Sequence, residues 1–288
     1  MVNVKILVGS NNEIPSSLLK KYDIRVIPFS LSLGEKNFKD GGITPGEFLE
    51  KIKATKLFPK TAALSVGELA NAYRELTKEG NSVVSMHMSS GLSIATLYAA
   101  QNAKEITKAD VEIIDTKQTC GGVGLVVLEA AKVAKQGKTK DEVVQIANKV
   151  ISRTNSIFAL PDMEYLYRGG RIGKAKSLMG SLLKIIPLIA IRDQTGVVTP
   201  IGKARNTAQA NEKIIETIKS DMEKTGAKKI KCITSHVGNK PAADELKNSL
   251  QKNFECEQII ETEASCPAIV HIGPKAWGIS YYLMGDED

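Results

Sequence analysis

Residues 82–106, SVVSMHMSSGLSIATLYAAQNAKEI, decide how this chain is read. The run SVVSMHM (82–88) is apolar, β-branched and of strand length, with no polar alternation, so it reads as a strand buried on both faces. A Ser-rich corner follows, with Ser89, Ser90, Gly91 and Ser93, and a helix takes over at about 95–106. A buried strand that turns directly into a helix is the repeating unit of a parallel, helix-covered sheet.

The same unit recurs on either side. VKILVG (4–9), IRVIPFSL (24–31) and VEIID (111–115) read as further strands, with a short helix ahead of the second. Thr44-Pro45-Gly46-Glu47, Ser65-Val66-Gly67-Glu68 and Thr139-Lys140-Asp141-Glu142 each spell a capping box, and Gly80 stands where the second of these helices should stop. Helices are expected at about 121–136 and 140–153. The second half changes character. IIPLIAIRDQTGVVTPIG reads as strand, turn and strand around Gly196, a hairpin. A helix over SLMGSLLK precedes it; a long helix (about 207–224), the strand KIKCITSH, a helix at about 240–252 and ECEQIIE follow it. The expected fold is α/β in two domains: a mainly parallel, helix-covered sheet over 1–158 and an α+β domain over 159–288.

Composition narrows the function classes. The 288 residues suit two cores better than one, and 42% hydrophobic with 25% charged residues is ordinary for a globular chain. A formal charge of +7 suits an anionic ligand or acidic partner, but no basic tail or Arg-rich stripe points to nucleic acid. Four cysteines without a CxxC pair and three histidines give no metal-type spacing. No apolar run approaches the roughly 18 residues that span a bilayer, and MVNVKILVGS enters a strand without leader-peptide character; the expectation is a cytoplasmic chain with free thiols.

A helix start lined with hydroxyls could hold a scissile carbonyl, a phosphate or a carboxylate. The nucleophile reading would place Ser93 on a strand–helix elbow, yet Ala95 stands where G-x-S-x-G requires its second glycine. The phosphate reading would use RGGRIGKAK (168–176), which fails the phosphate-loop pattern at Arg168 and Ala175. The bland reading of that segment is a basic turn, and Arg168, Arg171, Lys174 and Lys176 could equally form a docking face. The carboxylate reading adds the Ser93 and Thr61 hydroxyls to the unpaired N–H groups of a helix start. Against it stands simple helix capping by the serines.

The chain resembles the DegV family from its first strand to its last motif. The resemblance rests on FPKT…SVGEL, SSGLS, YLYRGGRIGKAKSLMGSLLKIIPLI, PIGKAR and HIGP…WGI, in that order. It implies a fatty acid buried between two domains. It also implies the role of the FakB subunits, which present the acyl carboxylate to a separate ATP-dependent fatty acid kinase for conversion to acyl phosphate. By that resemblance Thr61, Ser93 and His271 bind the carboxylate, and Ile94 and Lys275 neighbour the head group. Arg171, Lys174 and Arg205 would meet the kinase. The chain itself would then carry no catalytic residue, metal or cofactor and would not insert stably in a membrane. The competing reading is a serine hydrolase or acyltransferase acting through Ser93. The chain departs from the family pattern at Gly9, Ala62, Ala63, Ile94, Ala95 and Lys275 and is shorter around Asp40; these positions surround the head group. Physically, a long tail supplies the affinity, so neutral donors suffice for the head; Lys275 could add a cation there, against the alternative that its side chain points to solvent as most lysines do.

Overall fold

The computed structural model describes residues 3–178, 185–192 and 195–285. Three sheets organise the chain. The first has the order β2 (Ile24–Ile27), β1 (Val4–Gly9), β6 (Ser82–His87), β7 (Val111–Asp115), every pair parallel. Strand period explains its two cores: along β1, Leu7 faces helices α3 (Val66–Leu76) and α4 (Ser90–Thr107), while Ile6 and Val8 face α5 (Gly121–Lys135) and α6 (Lys140–Ser152). Helix α1 (Ser16–Lys21) links β1 to β2.

A small antiparallel sheet lies beside it, in the order β4 (Lys36–Lys39), β3 (Ser30–Leu33), β5 (Lys60–Ala62), with α2 (Pro45–Thr55) between β4 and β5. This sheet is a correction to the single strand expected over 24–31. Pro28 ends β2 because it has no N–H for the ladder, and the chain changes sheets there.

The third sheet has the order β10 (Thr199–Ala204), β9 (Ile186–Ile191), β8 (Thr154–Ala159), β13 (Trp277–Met284), β11 (Lys229–His236), β12 (Glu255–Glu263). All its pairs are antiparallel except β11 with β12. Helices α8 (Thr207–Thr225) and α9 (Lys240–Asn253) cover its outer face over Ile157, Ile230, Ile279 and Tyr281. The short helices α7 (Glu164–Arg168) and α10 (Cys266–Ile272) lie towards the small sheet. The fold is thus mixed α/β, a parallel sheet and a separate mixed sheet. The division expected at 158 falls inside β8, which pairs with both β9 and β13; we propose it ahead of Thr154. Apart from Ser177 and Leu178, the helix expected over 177–184 lies outside the described residues.

Capping follows the sequence at two of three sites. Thr44 and Thr139 form reciprocal boxes with Glu47 and Glu142. Ser65 accepts from Glu68 N–H, but the Glu68 carboxylate goes to Lys39, 2.7 Å away, so that box is half made. Helix α3 stops at Leu76, and Gly80 closes a separate 3-10 turn.

Helix α5 lies between the parallel and the six-stranded sheets and touches β1, β8, β11 and β13. Ten of its fifteen residues are buried. Its first turn approaches so closely that a Cβ on Gly124 would lie 2.2 Å from the Asn12 carbonyl oxygen. Gly124→Ala should therefore cost about 2–3 kcal/mol or more in denaturant unfolding. Gly46→Ala in α2 meets open space and should be neutral or stabilise by up to about 1 kcal/mol. Equal effects of the two changes would contradict the packing described.

Candidate functional site

A cavity of about 770 Å3, its mouth included, lies where the three sheets meet. It opens at the carboxyl ends of the parallel strands, between β1 and β6, where the chain order reverses across the sheet. Loops leaving two such strands diverge and leave a crevice, the usual ligand position in sheets of this kind. Asn11 follows β1; Met88 and Ser93 follow β6. The opposite wall is apolar, with Phe158, Ile189 and Ile191 from the six-stranded sheet.

Each polar group is placed by its local structure. In β5 Lys60 is exposed; Ala62 and Ala63 border the cavity where the strand ends, and so does Thr61. Its hydroxyl lies 3.0 Å from Nε2 of His271, at the end of α10. Burial, reinforced by the positive charge of Arg171, pushes the His271 pKa down to about 4, so the ring is neutral at physiological pH. Its Nδ1 is buried without a partner among the described residues. Gly169 makes room for it, since a Cβ there would come within 2.7 Å of that nitrogen. With Nε2–H donating to Thr61 Oγ1, the threonine hydrogen is free to point at an anion.

The serines of the corner separate into two roles. Ser89 is a structural cap: its hydroxyl donates to the Gly196 carbonyl at 2.7 Å and accepts from Gly91 N–H. Ser90 accepts from Lys117 and donates its backbone N–H to Asp115. Ser93 breaks α4, with φ −157° and ψ 93°, so the regular helix restarts beyond it, near the start expected at 95. The break falls at the cavity, which Leu92 and Ser93 line. No hydrogen bond joins Ser93 to a histidine among the described residues, and no carboxylate orients His271 there, so the elements of a nucleophilic triad are not assembled.

Helix α10 is held from the other half of the chain. The Glu13 carboxylate accepts from Ser265 N–H at 3.0 Å and from its hydroxyl at 2.9 Å. Burial raises the Glu13 pKa to about 7, against the lowering effect of these bonds, with Asp40 adding repulsion. Between the ordinary value of 4.5 and about 7 the folded chain holds a proton that the unfolded chain has lost. Stability from this group is therefore present at low pH and falls as pH rises through that window. Wild type measured against Glu13→Gln should lose on the order of 2–4 kcal/mol between pH 4.5 and 8 in denaturant unfolding. Parallel stability–pH curves would contradict the assignment.

The structure thus brings Thr61, Ser93 and His271 to one cavity. Arg171, expected on a docking face, is in the same wall, its guanidinium donating to the carbonyls of Leu92 and Gly169. A cation therefore does stand near the site, though not the expected one. Lys275 is exposed, does not line the cavity, and has φ 62°, a conformation in which the glycine of the family pattern costs nothing. Ile94 is exposed and is also outside the lining. Lys174 and Arg205 are exposed, with backbone N–H groups bonded to Val198 O and Gln209 Oε1. Sequence reasoning missed Asn11, Thr119 and Cys120, which also line the cavity. The available signal was their position just beyond a strand end or just before a helix. Among the described residues no group of three or more His, Cys, Asp or Glu could hold a metal ion.

The family model described as "Uncharacterised protein, DegV family" matches residues 3–283. A DegV domain-containing protein of Streptococcus pneumoniae is 31% identical over 280 residues, covering 97% of this chain and 98% of that one. One of Clostridium perfringens is 29% identical over 283 residues, covering 96% and 98%. Among solved structures, a fatty-acid-binding DegV family protein from Thermus thermophilus superimposes with a TM-score of 0.91 at 28% identity, covering 98% of this chain and all (100%) of that one. A DegV lipid-binding protein from Thermotoga maritima does so with 0.88 at 28% identity, covering 98% and 99%. With nearly its whole length matched, this chain belongs to the DegV family.

Proposed function

We propose that the chain binds a long-chain fatty acid in this cavity, with the carboxylate at Thr61, Ser93 and His271. The observation that carries the reading is the Thr61–His271 pair, 3.0 Å apart, at the wall of an otherwise largely apolar cavity. Each buried methylene contributes about 0.8 kcal/mol, so a long tail gives on the order of 10 kcal/mol gross. The head then needs donors that satisfy the charge without clamping it. The Ser93 hydroxyl and the Thr61 hydroxyl, the latter oriented by the neutral imidazole, supply them, and Arg171 provides a cation whose guanidinium is already engaged with two carbonyls. The relatives from Thermus thermophilus and Thermotoga maritima, described as binding fatty acid and lipid, support this reading.

Beyond binding, the chain would present the carboxylate to a separate ATP-dependent kinase and would not be an enzyme alone. The exposed Lys174 and Arg205 offer charge to an acidic partner face, and such charge speeds encounter and fixes orientation more than it adds affinity. No helix among the described residues is long and apolar enough to cross a membrane.

Organic extraction of the gently purified protein, followed by lipid mass spectrometry, should yield a non-covalent long-chain acid. An acyl-serine adduct at Ser93 would instead favour the hydrolase reading. Ser93→Ala and Thr61→Ala should each weaken binding by about 1–3 kcal/mol while the fold persists; wild-type affinity in both would place the carboxylate elsewhere. Arg205→Glu should impair acyl-phosphate formation with kinase and ATP and leave lipid binding intact. Lipid release by that change, or acyl phosphate made without a partner, would overturn the division of labour.

A further inference from the structure

Asn11 is the unexplained group of the cavity. It is 5% exposed, lines the wall, and its Nδ2 has no hydrogen-bond partner among the described residues. Its neighbour Asn12 is fully used: the amide donates to Gly9 O at 2.8 Å and accepts from Ile14 N–H at 2.9 Å, which fixes the loop that carries Asn11. The loop cannot retreat on its other side, where the Asn12 carbonyl abuts Gly124 of α5. Asn11 is therefore held in the wall by a rigid turn.

A second polar group lies on the same side. Thr119 precedes α5, whose first turn packs against the Asn12 carbonyl. Thr119 lines the cavity, and among the described residues its hydroxyl meets the Cys120 thiol at 3.7 Å, a weak partner. A cavity built only for a saturated hydrocarbon would be expected to carry apolar side chains here, because a buried amide left unpaired is costly.

We propose that Asn11, assisted by Thr119, is a second hydrogen-bonding point of the cavity and selects acyl ligands that carry a hydroxyl on the hydrocarbon tail. The inference rests on the fatty-acid reading and narrows its substrate class. A hydroxyl is the group that fits best. Rotation of the Asn11 amide about χ2 can turn either its N–H or its oxygen to the cavity, and a hydroxyl both accepts and donates. The Thr119 hydroxyl can complete the exchange from the adjoining element. A site built to bond a ligand hydroxyl discriminates against the analogue that lacks it, because the protein group is then left unpaired.

The test is equilibrium binding of stearic acid and a panel of its positional monohydroxy isomers to wild type and Asn11→Leu, with thermal unfolding as a control on the fold. At least one isomer should bind wild type about tenfold more tightly than stearic acid, the size expected for one satisfied hydrogen bond. Asn11→Leu should remove that preference and leave stearic acid bound at least as tightly. The wild-type comparison stands even where the variant fails to fold. No preference for any isomer, with stearic acid bound, would overturn this inference alone. Equal weakening of all ligands by Asn11→Leu would also overturn it, since Asn11 would then serve the carboxylate or the wall. Failure to bind any of the acids would overturn the fatty-acid reading with it.

Discussion

The packing of α5 against two sheets at once sets the rest of the architecture. Its Val and Leu side chains fill the core under β1 and β6 and meet Ile233, Tyr282 and Met284 of the six-stranded sheet in the same cluster. A helix shared in this way needs a small residue where backbone meets backbone, and Gly124 against the Asn12 carbonyl is that point. The turn after β1 is thereby held between α5 and α10, with Asn12 against the first and Glu13 bonded to Ser265 at the start of the second. The cavity sits at this seam. Its walls come from both halves of the chain, and neither half alone could enclose it.

This arrangement explains how a polar contact survives beside an oily space. Thr61 and His271 are 210 residues apart in sequence and meet only because the small sheet packs against α10. Burial keeps the imidazole neutral, so the pair can orient a hydroxyl without introducing a second buried charge. Ser93 contributes by breaking α4 where it lines the cavity. The same corner uses Ser89 and Ser90 for structure, so adjacent residues of one type divide between support and function.

Much of this was legible in the sequence, for physical reasons. The parallel sheet announces itself through apolar runs such as 82–88, and the helix starts at Thr44 and Thr139 through reciprocal caps. The family motifs pointed to Thr61, Ser93 and His271, which share the cavity. Other features depend on long-range packing and had no local signature. The small antiparallel sheet exists because Pro28 ends one strand and Phe29 begins the passage to another. The terminal strand β13 lies between β8 and β11, a position no local pattern could reveal. Lys275 looked like a head-group cation on chemistry alone, but its backbone, bonded to Val237 and Asn239, leaves the side chain exposed and out of the cavity lining. Arg171 read as surface charge because nothing in RGGRIGKAK says that its guanidinium turns to the Leu92 carbonyl.

The central claim is that a fatty-acid carboxylate is held, out of bulk water, at Thr61, Ser93 and His271, the two hydroxyls donating and the imidazole orienting the first. Carbon-13 NMR of oleic acid labelled at the carboxyl carbon, bound to the protein and titrated from pH 5 to pH 8, tests it most directly. The account predicts a single bound resonance, displaced from that of free or membrane-associated oleate and constant across the range, with a changed shift when Ser93→Ala is used. A resonance that titrates as free fatty acid does, or one indifferent to Ser93→Ala, would contradict it.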